Sequence, residues 1–240
     1  FAFASSGGET ATAAVERAAK VSAASAERSG TVVVRITHDG ELWAGSTVRW
    51  NGSDLSVGSD APARAGRKPG EHLRVVDGTL YGPDPGTGGW LIQGSPKNID
   101  PDSGTTPDEY LAAVRLDTGG VTLRRIMDGI TGLTTTHRVD GSTVYSGKVA
   151  AGVIARETGF KEGESLRVLP FGYVAHDEAE DAAAPVGVAV TGGRDDVVRD
   201  VTVSWGTWVY TATYSGLGAT PAPVAPENAR SLLELRGLRP

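Results

Sequence analysis

The side chains able to carry chemistry are few and scattered. Four histidines occur, His38, His72, His137 and His176. None has a second ligand at the His-Glu-x-x-His spacing that turns two imidazoles of one helix toward zinc. The densest titratable group is His176-Asp177-Glu178 with Glu180 and Asp181; acids beside alanine-rich sequence are the pattern of a solvated loop rather than of an acid–base pair. Asp100-Pro101-Asp102-Ser103-Gly104 opens like a calcium loop, but its proline and the lack of a correctly placed Glu break the ligand spacing. The chain has no Cys, which removes thiol nucleophiles, thiolate metal sites and disulfides together. Neither a Gly-x-Ser-x-Gly elbow nor a Gly-x-x-x-x-Gly-Lys-Ser/Thr loop occurs, so acyl transfer and nucleotide hydrolysis lack their usual scaffolds. Carboxylates that only the fold brings together are invisible at this level, and a hydrolase built from them stays open. The expectation is a binding module: not an enzyme, with no cofactor and no metal.

The elements that must position a binding surface are mostly strands. Residues 9 to 28 place Ala11, Ala14, Val15, Ala18, Val21 and Ala24 at helical spacing, which predicts an amphipathic helix ended by Ser29-Gly30. Thr31 to Thr37 then alternates, with Val32, Val34 and Ile36 on one face. After the turn His38-Asp39-Gly40, the run Glu41 to Trp50 sets Leu42, Ala44, Val48 and Trp50 on one face and Glu41, Thr47 and Arg49 on the other, a plausible hairpin. Short strands follow at Asp54 to Val57, His72 to Val76, Thr79 to Tyr81 and Trp90 to Gln93, and the polar stretch Ser59 to Gly70 between them reads as an exposed loop.

From Thr106-Pro107-Asp108-Glu109 the period changes to helical, with Tyr110, Leu111 and Val114 as an apolar stripe. A second helical stretch, Val121 to Asp128, carries Leu123, Ile126 and Met127 and leads to Ile130. A hairpin is expected at Thr134 to Val139 and Ser142 to Lys148, then a short helix over Val149 to Glu157. The last third returns to strands: Arg167 to Leu169, Gly172 to His176, Val186 to Thr191, Val197 to Trp205 and Thr207 to Tyr214. Pro221, Pro223 and Pro226 predict an extended segment before a final stretch at Ser231 to Leu235. The fold class that accommodates this order with fewest long crossings is α+β, a single curved antiparallel sheet wrapped over a few helices.

Composition narrows the partner. The net charge is -6 and the basic residues form no stripe, which argues against a phosphate backbone, so no nucleic acid is expected. Arg64, Arg67 and Lys68 in the 59–70 loop are the residues able to meet an anionic head group, though solvated charge is the usual role of such a run. Five tryptophans, Trp43, Trp50, Trp90, Trp205 and Trp208, fall on strands; tryptophan in a sheet commonly packs a core. A curved sheet too large for its helices to fill instead leaves an apolar cavity fit for acyl chains. At the start, Ala2-Phe3-Ala4 matches the small-x-small pattern of a signal-peptidase site, so residues 1–8 read as the end of a signal or anchor segment and 9–240 as one extracytoplasmic domain.

Two segments carry a family resemblance. Thr143-Val144-Tyr145-Ser146-Gly147-Lys148-Val149, followed by Ala-rich sequence, resembles the central Tyr-x-Gly strand of the actinobacterial lipoproteins related to LppX and LprG. Val201-x-Val203-x-Trp205, running through Tyr214-Ser215-Gly216-Leu217-Gly218 to Pro223-Val224-Ala225-Pro226, is similar to the end of that family. With the leading helix and first hairpin, the likeness covers most of the chain in order. It implies the fold of LolA, LolB and RseB, an unclosed antiparallel half-barrel over helices whose apolar cavity takes lipid or lipoprotein acyl chains in the cell envelope. The chain departs from the family in lacking a lipobox Cys within these residues and in its acidic insertion, Glu178 to Ala184.

On this reading the protein is a secreted or membrane-anchored envelope protein that binds lipid. The cavity candidates are Val34, Ile36, Leu42, Val48, Trp50, Tyr110, Val114, Leu123, Ile126, Met127, Ile130, Val203, Trp205, Trp208 and Tyr210. The alternative is an RseB-like sensor or regulatory domain whose partner is a membrane protein.

Overall fold

The computed structural model describes residues 10–59, 70–97, 99, 106–108, 111, 127–151 and 184–231. One helix, α1 (Ala11–Ala26), precedes twelve strands: β1 (Ser29–His38), β2 (Glu41–Asn51), β3 (Asp54–Ser59), β4 (Gly70–Val76), β5 (Thr79–Pro83), β6 (Trp90–Gly94), β7 (Thr131–His137), β8 (Thr143–Ala150), β9 (Pro185–Gly192), β10 (Val198–Trp205), β11 (Trp208–Ser215) and β12 (Arg230–Ser231). Among the described residues they form one open sheet, in the order β12-β6-β5-β4-β3-β2-β1-β11-β10-β9-β8-β7. Every pairing is antiparallel except β12 on β6. The order reflects two meanders, β1 to β6 and β7 to β11, joined where β1 meets β11 in the middle of the sheet.

The period-two pattern sets the faces. Beyond Ser29 and Gly30 at the start of β1, the buried residues along β1 and β11 are Val32, Val34 and Ile36 and Trp208, Tyr210, Ala212 and Tyr214, paired Val32 with Tyr214, Val34 with Ala212 and Ile36 with Tyr210. The alternate residues, such as Arg35 and Thr211, face the other way. All these buried side chains belong to one apolar cluster that also takes in Val15, Ala18, Ala19 and Ala26 of α1.

The helix begins at Thr10, whose side chain accepts the Ala13 N–H at 3.3 Å, and lies on the inner face against β1, β9 and β10. It stops at Ala26, and Ser29-Gly30, expected as its terminator, are instead the first residues of β1. Packing is the reason: a Cβ at Gly30 would run into the Trp50 ring and Leu217, so the glycine makes room on the sheet rather than ending the helix. Trp50 uses that room to donate its indole N–H to the Ala26 carbonyl at 2.7 Å, satisfying one of the carbonyls a helix end leaves without a partner. Ser22, wholly buried, donates to the Ala18 carbonyl and accepts the Val198 N–H, each at 2.7 Å, which pins the helix to β10.

After β11 the chain crosses the same end of the sheet. The Gly218 N–H donates to the Ser29 carbonyl at 2.8 Å, the Thr220 N–H to Ser29 Oγ at 3.1 Å, and the Asn51 side chain to the Thr220 carbonyl at 2.9 Å. Arg74, its guanidinium over the Trp90 ring, donates to the Val224 carbonyl at 2.7 Å. The segment ends as β12, held by Arg230 on Asp84. The proline-rich tail is thus an extended strap along half the sheet.

Two further expectations are corrected. Val149 and Ala150 continue β8 rather than opening a helix, because both keep the ladder to β9, Val149 opposite Val186 and Ala150 opposite Pro185; helical geometry is recorded only at Ala151. Leu42 does not share a face with Ala44. An extra residue in β2 breaks the register so that Ala44 pairs with Ile36 but Leu42 with Thr37, and one inserted residue inverts the alternation beyond it. The predicted helices at 105–128 lie mostly outside the described residues, within which 107–108, 111 and 127–129 are helical. The strands at Arg167 to Leu169 and Gly172 to His176, the remainder of the 149–157 helix and the acidic cluster at 176–184 fall almost wholly outside them, as do residues 60–69 and 232–235; Ala184 is described.

Candidate binding face

The inner face is built in rows across the strands. Nearest the C-terminal end of α1 stand Gly30, Trp50 and Leu55; next come Tyr214, Val32, Val48, Val57 and Leu73. The central row is Tyr145, Val190, Val201, Ala212, Val34, Ser46 and Ser59, followed by Gly147, Val188, Val203, Tyr210, Ile36 and Ala44. Farthest from the end of α1 lies an aromatic row, Trp205, Trp208 and His38. Every row is apolar but for Ser46 and Ser59 and the residues of that last row.

The sequence-derived candidates fall into three groups. Val34, Ile36, Val48, Trp50, Met127, Val203, Trp205, Trp208 and Tyr210 are buried together in one cluster, and Ile130 packs against it. Ile130 lies over Gly147, where a Cβ would meet its side chain and the Thr131 carbonyl; the glycine of the Tyr-x-Gly motif is therefore what lets the segment before β7 approach the sheet. Leu42 is half-buried and stands apart with Thr37. Tyr110, Val114, Leu123 and Ile126 lie outside the described residues, or their side chains do.

Several residues were missed. Val186, Val188 and Val190 alternate cleanly along β9, and that pattern alone marks them as lining. Ala44, Ser46, Leu73 and Tyr145 are half-buried on the same face. Trp43, 46% exposed, meets Trp208 edge-on at 5.3 Å between ring centroids, while His38 stacks on Trp208 at 4.3 Å. No period predicts Trp43, because the residue inserted into β2 carries it toward the aromatic row. Among the described polar atoms of this face, the Trp205 indole N–H and the Ser46 hydroxyl are buried and have no hydrogen-bond partner.

Charge plays little part here. Where carboxyl groups sit well below their usual range they do so elsewhere: Asp84 is lowered to about 2 by the Arg230 hydrogen bond first, then Thr87 and the Gly86 N–H, and Asp196 is lowered by its two-point contact with Arg17 on α1. Among the described residues no three His, Asp or Glu side chains gather as a metal site, and no helix is long and apolar enough to cross a membrane.

No family model matches the sequence, and no curated protein matches it. Among solved structures, the chain is similar to the lipoprotein LppX of Mycobacterium tuberculosis, at 16% identity and a TM-score of 0.49 over 90% of this chain and 100% of that one. It is similar to LprF from Mycobacterium bovis at the same identity and TM-score, over 93% of this chain and 100% of that one. It also matches a LolA superfamily protein from Nitrosomonas europaea at 9% identity and a TM-score of 0.27, over 90% and 96%. LppX and the LolA fold are those the sequence resemblance named.

Proposed function

We propose that this protein is a non-catalytic, extracytoplasmic binding protein that holds the acyl chains of a lipid or lipoprotein against the inner face of its sheet. The observation that supports this reading best is the uneven cover of that face. Its α1 end is closed by Trp50, Gly30 and Ser22, the indole N–H and the hydroxyl both hydrogen-bonded, whereas the far end carries the part-exposed Trp43 on Trp208. Between them, Ala44, Ser46, Leu73 and Tyr145 keep part of their surface accessible. Apolar surface that a chain leaves uncovered on a folded inner face is surface a hydrocarbon ligand can cover, at roughly 25 cal/mol for each Å² withdrawn from water. The aromatic row suits the mouth of such a site, since indole and imidazole rings present an apolar body beside a polar edge.

Native mass spectrometry of the purified chain, before and after incubation with phospholipid vesicles, tests this reading. A stoichiometric adduct that organic extraction identifies as an acylated species is the expected result, with Trp43→Ala weakening its retention. An apo mass unchanged by lipid would sink the proposal.

A further inference from the structure

The two edges of the sheet are finished differently. On one side β6 is capped by β12, two residues long and anchored by Arg230 on Asp84. On the other, β7 pairs only with β8, and among the described residues nothing pairs with its outer edge. Six of its seven residues are exposed and the seventh, Leu133, is half-buried. Its sequence, Thr-Gly-Leu-Thr-Thr-Thr-His, holds no Lys, Arg, Asp, Glu or Pro, which are the residues that ordinarily keep a sheet edge from pairing. Threonine favours strand geometry. One irregularity lies between Thr131 and Thr134, so the regular ladder runs Thr134 to His137 and is continued by the Arg138 N–H on the Ser142 carbonyl at 2.9 Å. Beyond it, at the hairpin tip, Val139 is fully exposed.

We propose that β7 is a self-pairing edge through which two copies of this chain join as an isologous antiparallel dimer. The choice of a second copy rests on self-complementarity. A two-fold axis centred on Thr135 sets Thr135 against itself, Thr134 against Thr136 and Leu133 against His137. An axis centred on Thr136 sets Thr136 against itself, Thr135 against His137 and Thr134 against Arg138. Neither register opposes like charges, and Thr–Thr pairs are among the favourable cross-strand contacts. In both, the sheet of one copy continues into that of the other. So short an edge buries less surface than a permanent dimer needs, and the expected dissociation constant is on the order of 10 to 500 μM.

Sedimentation velocity of the whole chain from 5 μM to 1 mM, alongside Thr135→Lys and Thr136→Lys, tests the inference. The wild type should pass from monomer to dimer across the series. The lysine that falls on the two-fold axis meets its own copy and should weaken association at least about tenfold. Both positions are exposed, and an unchanged melting temperature would show that the fold survives. Hydrogen exchange of the β7 amides should slow as the wild-type concentration rises. A wild type that stays monomeric to 1 mM, or a dimer that neither lysine weakens, overturns the proposal. So would a monomer whose β7 amides gain protection only from an added extended peptide, which would give the edge to a different partner.

Discussion

Trp50 and Trp205 stand on the same face of the same sheet, both buried, at opposite ends, and differ in what their indole N–H groups meet. Trp50 donates to the last carbonyl of α1 and rests over a glycine that clears its ring. Among the described residues Trp205 finds no acceptor, and it shares its row with Trp208, which stacks with His38 and meets the half-exposed Trp43. A buried donor without a partner costs about 1–3 kcal/mol, whereas a satisfied one contributes roughly 1. The contrast teaches where the molecule is finished: the α1 end is a closed core, and the aromatic end carries unspent polar and apolar surface of the kind a ligand supplies.

The largest way to break the contrast is at Trp50. Trp50→Ala should lower stability by about 3–5 kcal/mol, combining lost burial with an unsatisfied Ala26 carbonyl, read as a shift in the urea midpoint. Trp50→Phe separates the two: only the part carried by the hydrogen bond and the lost indole volume should vanish. Next is Ser22→Ala, which removes a single oxygen yet strands the Val198 N–H in the core; a loss of about 1–3 kcal/mol is expected. A loss within 0.5 kcal/mol, about the level of a surface change, would mean that α1 is held by apolar contact alone.

Acid probes the strap that braces this closed end. With Asp84 depressed to about 2 by Arg230, Thr87 and the Gly86 N–H, its folded-state value lies below the usual carboxylate range of about 4. The carboxylate therefore favours the folded strap above pH 4, and that contribution fades as pH falls from about 4 through 2. Protection of the β12 and β6 amides, read relative to their intrinsic exchange rates, should fall over that window, while the Trp50 indole, with no titratable partner, stays protected. Asp84→Asn should abolish the acid step.

The contrast also marks what sequence could reveal. Alternation in Thr31 to Thr37 named the inner face correctly, because a half-buried strand writes its burial into every second residue. The hairpin turn at Asp39-Gly40 was equally legible, both residues adopting positive φ. What was hidden lay in interruptions and long-range contacts. The extra residue in β2 moved Leu42 off the face and Trp43 toward the aromatic row, and no local pattern announces an insertion of one. Gly30 read as a helix stop because its real constraint, Trp50, is twenty positions away. The strap read only as extended: its acceptors and donors, Ser29, Asn51 and Arg74, lie more than a hundred residues earlier.

The smallest expected effects on stability fall at the open end, and they sharpen the contrast most. Trp43→Ala removes a side chain that is nearly half exposed, so the urea midpoint should move by no more than about 1 kcal/mol. Trp205→Phe trades the lost indole volume against removal of an unpaired buried donor, two changes of opposite sign, and should also stay within about 1.5 kcal/mol. Lipid retention should respond in the reverse order to stability: Trp43→Ala weakens it while leaving the fold intact, and Ser22→Ala, the more destabilising change, leaves it unaltered in the folded protein. If Trp43→Ala proved as costly to folding as Ser22→Ala, the aromatic row would be core like Trp50, and the two ends of the sheet would be doing the same job.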